Sequence, residues 1–188
     1  VQPNFVYRLV DEVPAGALDE SAASIADEQA EGDEDVSAQA LGMPNDDYVY
    51  TRDPNKPYNQ YWLYTTRITR AWNLVHTDNT VTVATLDTGV DFDHPDLEDN
   101  LLMDYAWDAY NNKPLSASVP NGDRIGHGTM VAGIISARAN NGIGLAGASY
   151  NATILPVKVF NDTGAPEATT ASVLSGYKYV VDLATSKT

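Results

Sequence analysis

The sequence contains no cysteine, only three phenylalanines and no long run of apolar residues. The absence of cysteine excludes a disulfide framework, a thiolate metal site and a cysteine nucleophile. Only 11 lysines and arginines stand against 26 aspartates and glutamates, and a net charge of −15 argues against nucleic-acid binding, which needs a basic face. No apolar stretch reaches the length of a membrane-spanning helix. What remains is a chain of 188 residues that is 43% hydrophobic, enough for one globular domain with a sizeable core.

The acidic charge is concentrated near the beginning of the chain. Residues 1–45 hold ten acidic residues and a single basic one, Arg8. The stretch 11–39 is rich in Ala, Asp, Glu, Ser and Gly and has no aromatic, so it cannot bury enough surface to offset the entropy of ordering. We therefore expect a flexible acidic linker over residues 11–45. An acidic, Ala-rich surface helix across part of Leu18–Ala30 is the alternative interpretation.

Residues 1–10, "VQPNFVYRLV", have a different pattern from the linker that follows. Phe5, Tyr7 and Leu9 alternate with other residues as in a β-strand. No neighbouring segment offers a second strand for a hairpin. We therefore expect this strand to belong to a folded unit whose remainder lies elsewhere.

From about residue 46 onward, strand patterns alternate with helix patterns. The segments Val81–Asp87 and Ala152–Phe160 are apolar and β-branched, which is typical of buried parallel strands. Helical spacing recurs in three places: at Ile68, Ala71, Trp72 and Val75; after His127; and from Val173 to Ala184, with Pro166 and Glu167 expected in the first turn. Strand, helix, strand and helix in this order predict an α/β fold with a mostly parallel central sheet.

Two segments carry residues suited to catalysis. Asp87 closes a predicted buried strand, and functional side chains gather at the carboxyl ends of parallel strands. His127 stands between two glycines in "GHGTMVAG", where the missing side chains leave room around an imidazole. On residue types alone, Asp87 could serve a hydrolase, a phosphotransferase or a simple turn.

The segments "VATLDTGVDFDHPDL", "GHGTMVAGIISA" and "NNGIGLAGASYNATILPVKVF" together resemble the subtilisin-like serine peptidases, the subtilases. The resemblance covers the chain from about Tyr58 to its end. It implies a three-layer subtilisin-like fold of which this chain holds the first half. It also implies that Asp87 is the aspartate and His127 the general base of an Asp-His-Ser triad.

The nucleophile of that triad is missing from the chain. None of the ten serines stands in the Gly-Thr-Ser motif of the family, and Ser149 in "GAS" is the nearest match. The resemblance places the serine, the oxyanion-hole asparagine and a substrate-pairing strand beyond Thr188. A second chain or segment would then supply the serine and the asparagine.

The resemblance also interprets the N-terminal region. Residues 1–10 are similar to the last strand of an inhibitory propeptide, and residues 11–45 would contain or adjoin the maturation site, with Leu41 and Met43 as candidates. Residues 46–188 would form the first half of the peptidase domain. A zymogen that is secreted or held at the cell surface and that acts on polypeptide substrates is the expectation, with its own propeptide as inhibitor. A non-inhibitory N-terminal extension is the alternative.

A structural calcium ion (Ca2+) is the expected cofactor, because "ARANNGIGLAG" resembles the calcium loop of the family and calcium prefers oxygen ligands. Asp91 and Asp93 are expected to be solvated in their loop or to bond to nearby backbone. The ligands that the resemblance implies are the side chains of Gln60, Asp96 and Asn141 and the carbonyls of Ala139, Ile143 and Leu145.

Two other functional classes remain open at this point. One is a catalytically inactive subtilase fold used as a binding or scaffold protein, which a completing segment without the serine would establish. The other is an unrelated hydrolase or phosphotransferase that uses Asp87 with a divalent metal, which leaves "GHGTMVAG" unexplained.

Overall fold

The computed structural model describes residues 6–8, 43–49, 60–118 and 120–186. Most of the predicted linker, including Leu41 and the alternative helix across Leu18–Ala30, lies outside the described residues. None of the helices in the described ranges is long and apolar enough to cross a membrane.

The described elements follow the predicted alternation of strands and helices. The strands are β1 (Val6–Arg8), β2 (Thr82–Asp87), β3 (Trp107–Asp108), β4 (Lys113–Pro114), β5 (Thr153–Lys158) and β6 (Glu167–Thr169). The α-helices are α1 (Tyr61–Thr65), α2 (Ile68–Trp72), α3 (His127–Ser136) and α4 (Thr170–Ser186), and short 3₁₀ helices span Glu98–Asn100, Met103–Tyr105 and Leu115–Ala117.

The central sheet has the strand order β2-β5-β3-β4. Strands β2 and β3 both pair in parallel with β5, and only β4 runs antiparallel, so the prediction of an α/β fold with a mostly parallel sheet is confirmed. The paired register brings Asp87 of β2 and Asp108 of β3 level with Lys158 of β5, all at the carboxyl ends of their strands.

Alternating side chains of β5 reach opposite faces of the sheet, which is how the helices form two outer layers. Leu155 and Val157 pack in a buried cluster with Val180 of α4. Ile154 precedes them in sequence and packs with Ala132 of α3 instead. The sheet is therefore covered by α3 on one face and by α4 on the other, as the predicted three-layer arrangement requires.

The helical spacing from Ile68 to Val75 resolves into a short helix, α2, that follows a second short helix, α1. Arg67, between them, has a φ of 60°, a left-handed conformation that separates the two helices. Leu63 and Trp72 bury their side chains in a third cluster with Ala139 and Ala146. This cluster attaches both helices to the loop that follows α3.

The prediction that Pro166 and Glu167 lie in the first helical turn is wrong. Glu167 begins strand β6, where its backbone N–H donates to Asn161 Oδ1 (3.0 Å) and its carbonyl accepts from Asn161 N (2.9 Å). Helix α4 begins only at Thr170, because the Thr169 hydroxyl accepts from Ser172 N (3.0 Å) and Ser172 Oγ accepts from Thr169 N (2.9 Å). This reciprocal cap fixes the start of α4 after the strand.

Strand β1 has a pairing partner within this chain, although no segment near it in the sequence offers one. It pairs antiparallel with β6, with Val6 opposite Thr169, Tyr7 opposite Ala168 and Arg8 opposite Glu167. The N-terminal segment therefore lies along the strand that leads into α4.

Candidate active site

Asp87 reaches the carboxyl edge of the sheet as the last residue of β2. The chain then turns sharply at Gly89, whose φ of +115° is one that L side chains rarely adopt. A Cβ at Gly89 would lie 2.0 Å from the carbonyl oxygen of Gly122. The turn after Asp87 is consequently in direct backbone contact with the segment that leads into α3.

His127 is the first residue of α3 and faces Asp87. Its Nδ1 lies 2.7 Å from Asp87 Oδ1, and the same carboxylate oxygen accepts from the backbone N–H of Thr88 (2.7 Å). The imidazole is 42% exposed and the Asp87 side chain 14% exposed. In the part of the chain that the structure describes, Nε2 of His127 has no hydrogen-bond partner, so this nitrogen is accessible to a further group.

The hydrogen bond between these residues defines what the imidazole can do. A carboxylate that accepts from Nδ1–H fixes the tautomer in which Nε2 carries the lone pair. Such an Nε2 can take a proton from a hydroxyl, and the carboxylate then stabilises the imidazolium. The geometry of Asp87 and His127 is therefore that of an oriented general base.

None of the described serines completes the arrangement. Ser149, the nearest match by sequence, donates its hydroxyl to the carbonyl of Ile135 (2.6 Å) at the other end of α3. No described serine hydroxyl is within hydrogen-bond distance of His127. The pair of Asp87 and His127 therefore has no serine partner in the described part of this chain.

Asp123 is a residue of the site that the sequence patterns did not reveal. Its Oδ1 accepts from the backbone N–H groups of Ile125 (3.1 Å) and Gly126 (3.0 Å), and its Oδ2 accepts from Thr129 N (3.0 Å) and Thr129 Oγ1 (2.6 Å). Burial acts to raise the pKa of Asp123, but the hydrogen bonds from Thr129, Gly126 and Thr88 outweigh it and leave the pKa below 3.8. An acidic residue six positions before a threonine at a predicted helix start was the available signal.

The acidic cluster that precedes Asp96 behaves as the sequence suggested. Asp91 Oδ1 accepts from the backbone N–H of Asp93 (3.1 Å), and His94 Nδ1 accepts from Asp96 N (3.2 Å). These contacts are local to the loop. Asp96 itself is buried, and its side chain contacts a different group of residues.

Asp96 lies against the loop 139–145 that was predicted to bind calcium. Its Oδ1 accepts from Asn141 Nδ2 (2.9 Å) and its Oδ2 from Leu145 N (2.8 Å). A Cβ at Gly144 would lie only 2.2 Å from Asp96 Oδ2, so the loop wraps closely around this carboxylate. The side-chain oxygen of Asn141 accepts from Ile143 N (3.0 Å).

Gln60 contacts the residue that follows this loop. Its Nε2 donates to the carbonyl of Ala146 (2.8 Å), and its Oε1 accepts from Ala146 N (2.8 Å). Both polar atoms of this buried side chain are thus paired with backbone. The role of Gln60 as a metal ligand stays a prediction, and these contacts give it a structural role that needs no metal.

Asp46 is a second acidic residue at this loop that the sequence patterns did not identify. The buried carboxylate accepts from Asn140 N (2.8 Å) and Asn141 N (3.1 Å). Burial raises the pKa of Asp46 and the nearby charge of Asp96 raises it further, although the two backbone hydrogen bonds act in the opposite direction. Two carboxylates therefore approach one loop, and the charge of Asp96 opposes the ionisation of Asp46.

The oxygens around this loop fit a hard cation. Among the described residues, the carbonyls of Ala139, Ile143 and Leu145 accept no hydrogen bond, whereas those of Gly144 and Ala146 are bonded to Tyr48 N and Gln60 Nε2. No group of three or more His, Cys, Asp or Glu residues that could hold a metal is present in the described ranges. A cation here would thus depend on backbone and amide oxygens as well as on two carboxylates, a donor set that calcium accepts.

This chain is similar to known proteins of one family. Residues 78–184 match the model of the subtilase family of peptidases. The thermophilic serine proteinase of Bacillus sp. (strain AK1) is 31% identical over 145 residues, which cover 76% of this chain and 32% of that protein. Thermitase of Thermoactinomyces vulgaris is 35% identical over 132 residues, 69% of this chain and 44% of that protein. Among solved structures, a lanthipeptide protease is similar with a TM-score of 0.50 and 26% identity, over 77% of this chain and 37% of that one.

The chain therefore belongs to the subtilase family. It spans between 32% and 44% of the length of the two curated relatives named above.

Proposed function

We propose that the protein to which this chain belongs is a serine endopeptidase that hydrolyses peptide bonds through an Asp-His-Ser triad. The observation that carries the proposal is the 2.7 Å contact between His127 Nδ1 and Asp87 Oδ1, which leaves Nε2 without a described partner. Membership of the subtilase family supports the same reaction class.

Each residue has a distinct role in the proposed reaction. His127 Nε2 takes the proton of the serine hydroxyl as the oxygen attacks the substrate carbonyl, and later returns it to the leaving amine. Asp87 keeps the imidazole in the required tautomer and stabilises the imidazolium. Its Oδ1 lies within hydrogen-bond distance of both His127 Nδ1 and Thr88 N, and these two contacts hold the carboxylate in one orientation.

The serine and an oxyanion-hole donor are supplied by a segment outside these 188 residues. The exposed surface beside His127 supports this part of the proposal, since Met130 and Ile134 of α3 are 64% and 52% exposed. Large apolar side chains next to a catalytic base are the surface that a completing segment would cover.

We also propose that the N-terminal strand acts as an inhibitory propeptide. The antiparallel pairing of β1 with β6 supports it, because an extended peptide that adds to a sheet edge is a common mode of peptide recognition. Helix α4 follows β6 directly, and the bridge between Phe160 and Ala168 joins β6 to the segment just after β5. The peptide would thus lie on an edge anchored to the catalytic sheet, and its release would activate the zymogen.

Calcium is the proposed structural cofactor, held by Asp96, Asn141 and the carbonyls of Ala139, Ile143 and Leu145. The two carboxylates at this loop support the proposal, and Asp46 joins the set on that ground. The ion would neutralise their mutual repulsion and stabilise the loop. A secreted or cell-surface location is proposed from the family resemblance.

Peptide hydrolysis by the full-length protein tests the proposed activity. We expect turnover of an unfolded protein substrate by the matured wild type, and a loss of kcat of about 10⁴-fold or more for His127→Ala. A well-folded, fully matured sample that cleaves no substrate would instead favour the inactive scaffold protein. Equal turnover by wild type and His127→Ala would exclude the triad mechanism.

A further inference from the structure

Asp87 and His127 lie at the junction between the loop after β2 and the first turn of α3. Hydrogen bonds join these two segments. The backbone N–H of Gly128, directly after His127, donates to the hydroxyl of Thr88 (2.9 Å), directly after Asp87. The hydroxyl of Thr129 accepts from the backbone N–H of Asp91 (2.9 Å). The loop after β2 and the first turn of α3 are thus joined at two points next to the Asp87 to His127 contact.

Asp123 lies at the centre of this junction. The Thr129 hydroxyl that accepts from Asp91 N donates in turn to Asp123 Oδ2 (2.6 Å), so a continuous chain of hydrogen bonds joins the loop, the helix and the carboxylate. The same oxygen accepts from Thr129 N (3.0 Å), while Oδ1 accepts from Gly126 N (3.0 Å). Gly126, which precedes the helix, has no side chain with which to cap it.

Backbone contacts leave the junction little room to adjust. A Cβ at Gly128 would lie 2.1 Å from the carbonyl oxygen of Gly89 and 3.2 Å from Asp87 Cβ. A Cβ at Gly122 would lie 2.4 Å from the carbonyl oxygen of Val90. A small rotation of the first turn of α3 would therefore move His127 relative to Asp87. The surrounding backbone leaves little room for a compensating shift.

We infer that Asp123, acting through the hydroxyl of Thr129, is a positioning residue that holds His127 in register with Asp87. The inference rests on the proposed peptidase function of the same site. In this role Asp123 touches no reacting atom. It stabilises the donors at the start of α3 and, through Thr129, ties them to the loop that carries Asp87. The lowered pKa of Asp123 keeps this carboxylate ionised at neutral pH.

Matched variants of the full-length protein test the inference. Thr129→Val removes the hydroxyl at constant shape, whereas Thr129→Ser keeps it. We expect Thr129→Val and Asp123→Asn to lower kcat by about 10- to 100-fold with KM changed less than about twofold, since a small misplacement of a catalytic group costs that much. We expect Thr129→Ser to stay within about threefold of wild type, because the hydroxyl that makes both hydrogen bonds is still present.

Two further measurements separate positioning from simple stabilisation. Asp78 provides a matched control, because its carboxylate also accepts from the backbone N–H and hydroxyl of one threonine, Thr80 (2.9 and 2.5 Å), near the opposite end of β2. Asp78→Asn should leave kcat unchanged. The low-field proton resonance of His127 Nδ1 should persist in Asp78→Asn and Thr129→Ser and broaden or vanish in Asp123→Asn and Thr129→Val.

The possible outcomes distinguish failure of the inference from failure of the proposed function. If the wild type turns over substrate but Thr129→Val and Asp123→Asn keep its kcat and the resonance while melting at lower temperature, Asp123 only stabilises the helix and the inference is wrong. If Asp123→Asn does not fold, the comparison of Thr129→Val with Thr129→Ser decides the question in the same way. If the wild type itself shows no turnover, the proposed function fails instead.

Discussion

Asp46 and Asp96 bind the same loop, 139–145, and the charge of Asp96 adds to the burial that raises the pKa of Asp46. An acid whose pKa is raised by folding costs stability when it is ionised, and the cost falls as the pH drops through the folded-state pKa. A bound cation would remove the same cost at neutral pH. The calcium proposal can therefore be tested by measuring the stability of the protein, without an activity assay.

Calcium should stabilise the full-length protein less when either carboxylate is lost. We expect the increase in unfolding free energy on adding calcium to shrink by about 1.4 kcal/mol for each tenfold loss of affinity in Asp46→Asn and Asp96→Asn. Gln60→Met should lower stability in chelator and in calcium alike, because Gln60 pairs with the backbone of Ala146. The measurement is chemical denaturation at several calcium concentrations. The proposed calcium site would be contradicted if the calcium-induced increase in unfolding free energy were unchanged in both Asp variants, or if it were lost in Gln60→Met alone.

Two glycines that each face a close contact should affect different properties. Gly128→Ala places a Cβ against Gly89 and Asp87, whereas Gly144→Ala places one against Asp96. We expect Gly128→Ala to lower kcat even well below its melting temperature, and Gly144→Ala to lower the calcium increment while kcat in saturating calcium stays near wild type. The paired readouts are steady-state kinetics and calcium-dependent melting. Equal effects of both variants on kcat would mean that each added Cβ lowers activity only by lowering the stability of the whole protein.

The ionised state of Asp123 predicts a pH dependence of stability. Its pKa is lower in the folded protein than the ordinary 3.8. Its contribution to the free energy of unfolding is therefore fully present above pH 3.8 and is lost as the pH falls through the folded-state pKa. Asp123→Asn should therefore cost about 1.5–3 kcal/mol at neutral pH, the range for hydrogen bonds to a charged group. The difference from wild type, followed by denaturation at a series of pH values, should narrow as the pH falls below 3.8. A difference that stays constant over this range would mean that the charge of Asp123 is not what its partners stabilise.

The pairing of β1 with β6 predicts inhibition by the isolated N-terminal peptide. Residues 1–10 should inhibit the matured enzyme competitively, and a scrambled peptide should not. In an antiparallel pair, successive N–H groups point alternately toward and away from the partner strand. Of Tyr7 and Arg8, only one therefore points its N–H toward β6. N-methylation of that residue should abolish inhibition, and N-methylation of the other should leave it intact. Equal inhibition by both methylated peptides would argue against binding to β6 in this register.

Much of the fold follows from local sequence patterns. The apolar runs that contain Asp87 and Lys158 predicted the two long parallel strands, β2 and β5, and the small residues after His127 predicted α3. The predicted start of α4 was wrong, since Pro166 and Glu167 suit a first helical turn locally. The contacts of Glu167 with Asn161 and the cap between Thr169 and Ser172 decide otherwise. Those contacts depend on tertiary geometry that spacing does not encode.

The residues of the candidate sites were also predictable only in part. Asp87, His127 and the loop 139–145 stand in segments with a specific resemblance, and the structure brings the first two into contact. Asp46 was not identified because it lies far from Asn141 in the sequence, at the predicted start of the peptidase domain, where no motif singles it out. Asp123 was not identified because a single aspartate in a loop rich in Asn, Asp and Gly indicates a turn. Its role depends on which donors converge on it.

The central proposal is that Asp87 and His127 activate a serine outside these 188 residues. Labelling of the full-length, matured protein with a fluorophosphonate, followed by mass spectrometry of the modified peptide, tests it directly. We predict one labelled serine beyond Thr188, a rate of labelling lowered by several orders of magnitude in His127→Ala, and a large loss in Asp87→Asn. Labelling of a serine within residues 1–188, or a rate that His127→Ala leaves unchanged, would contradict this mechanism.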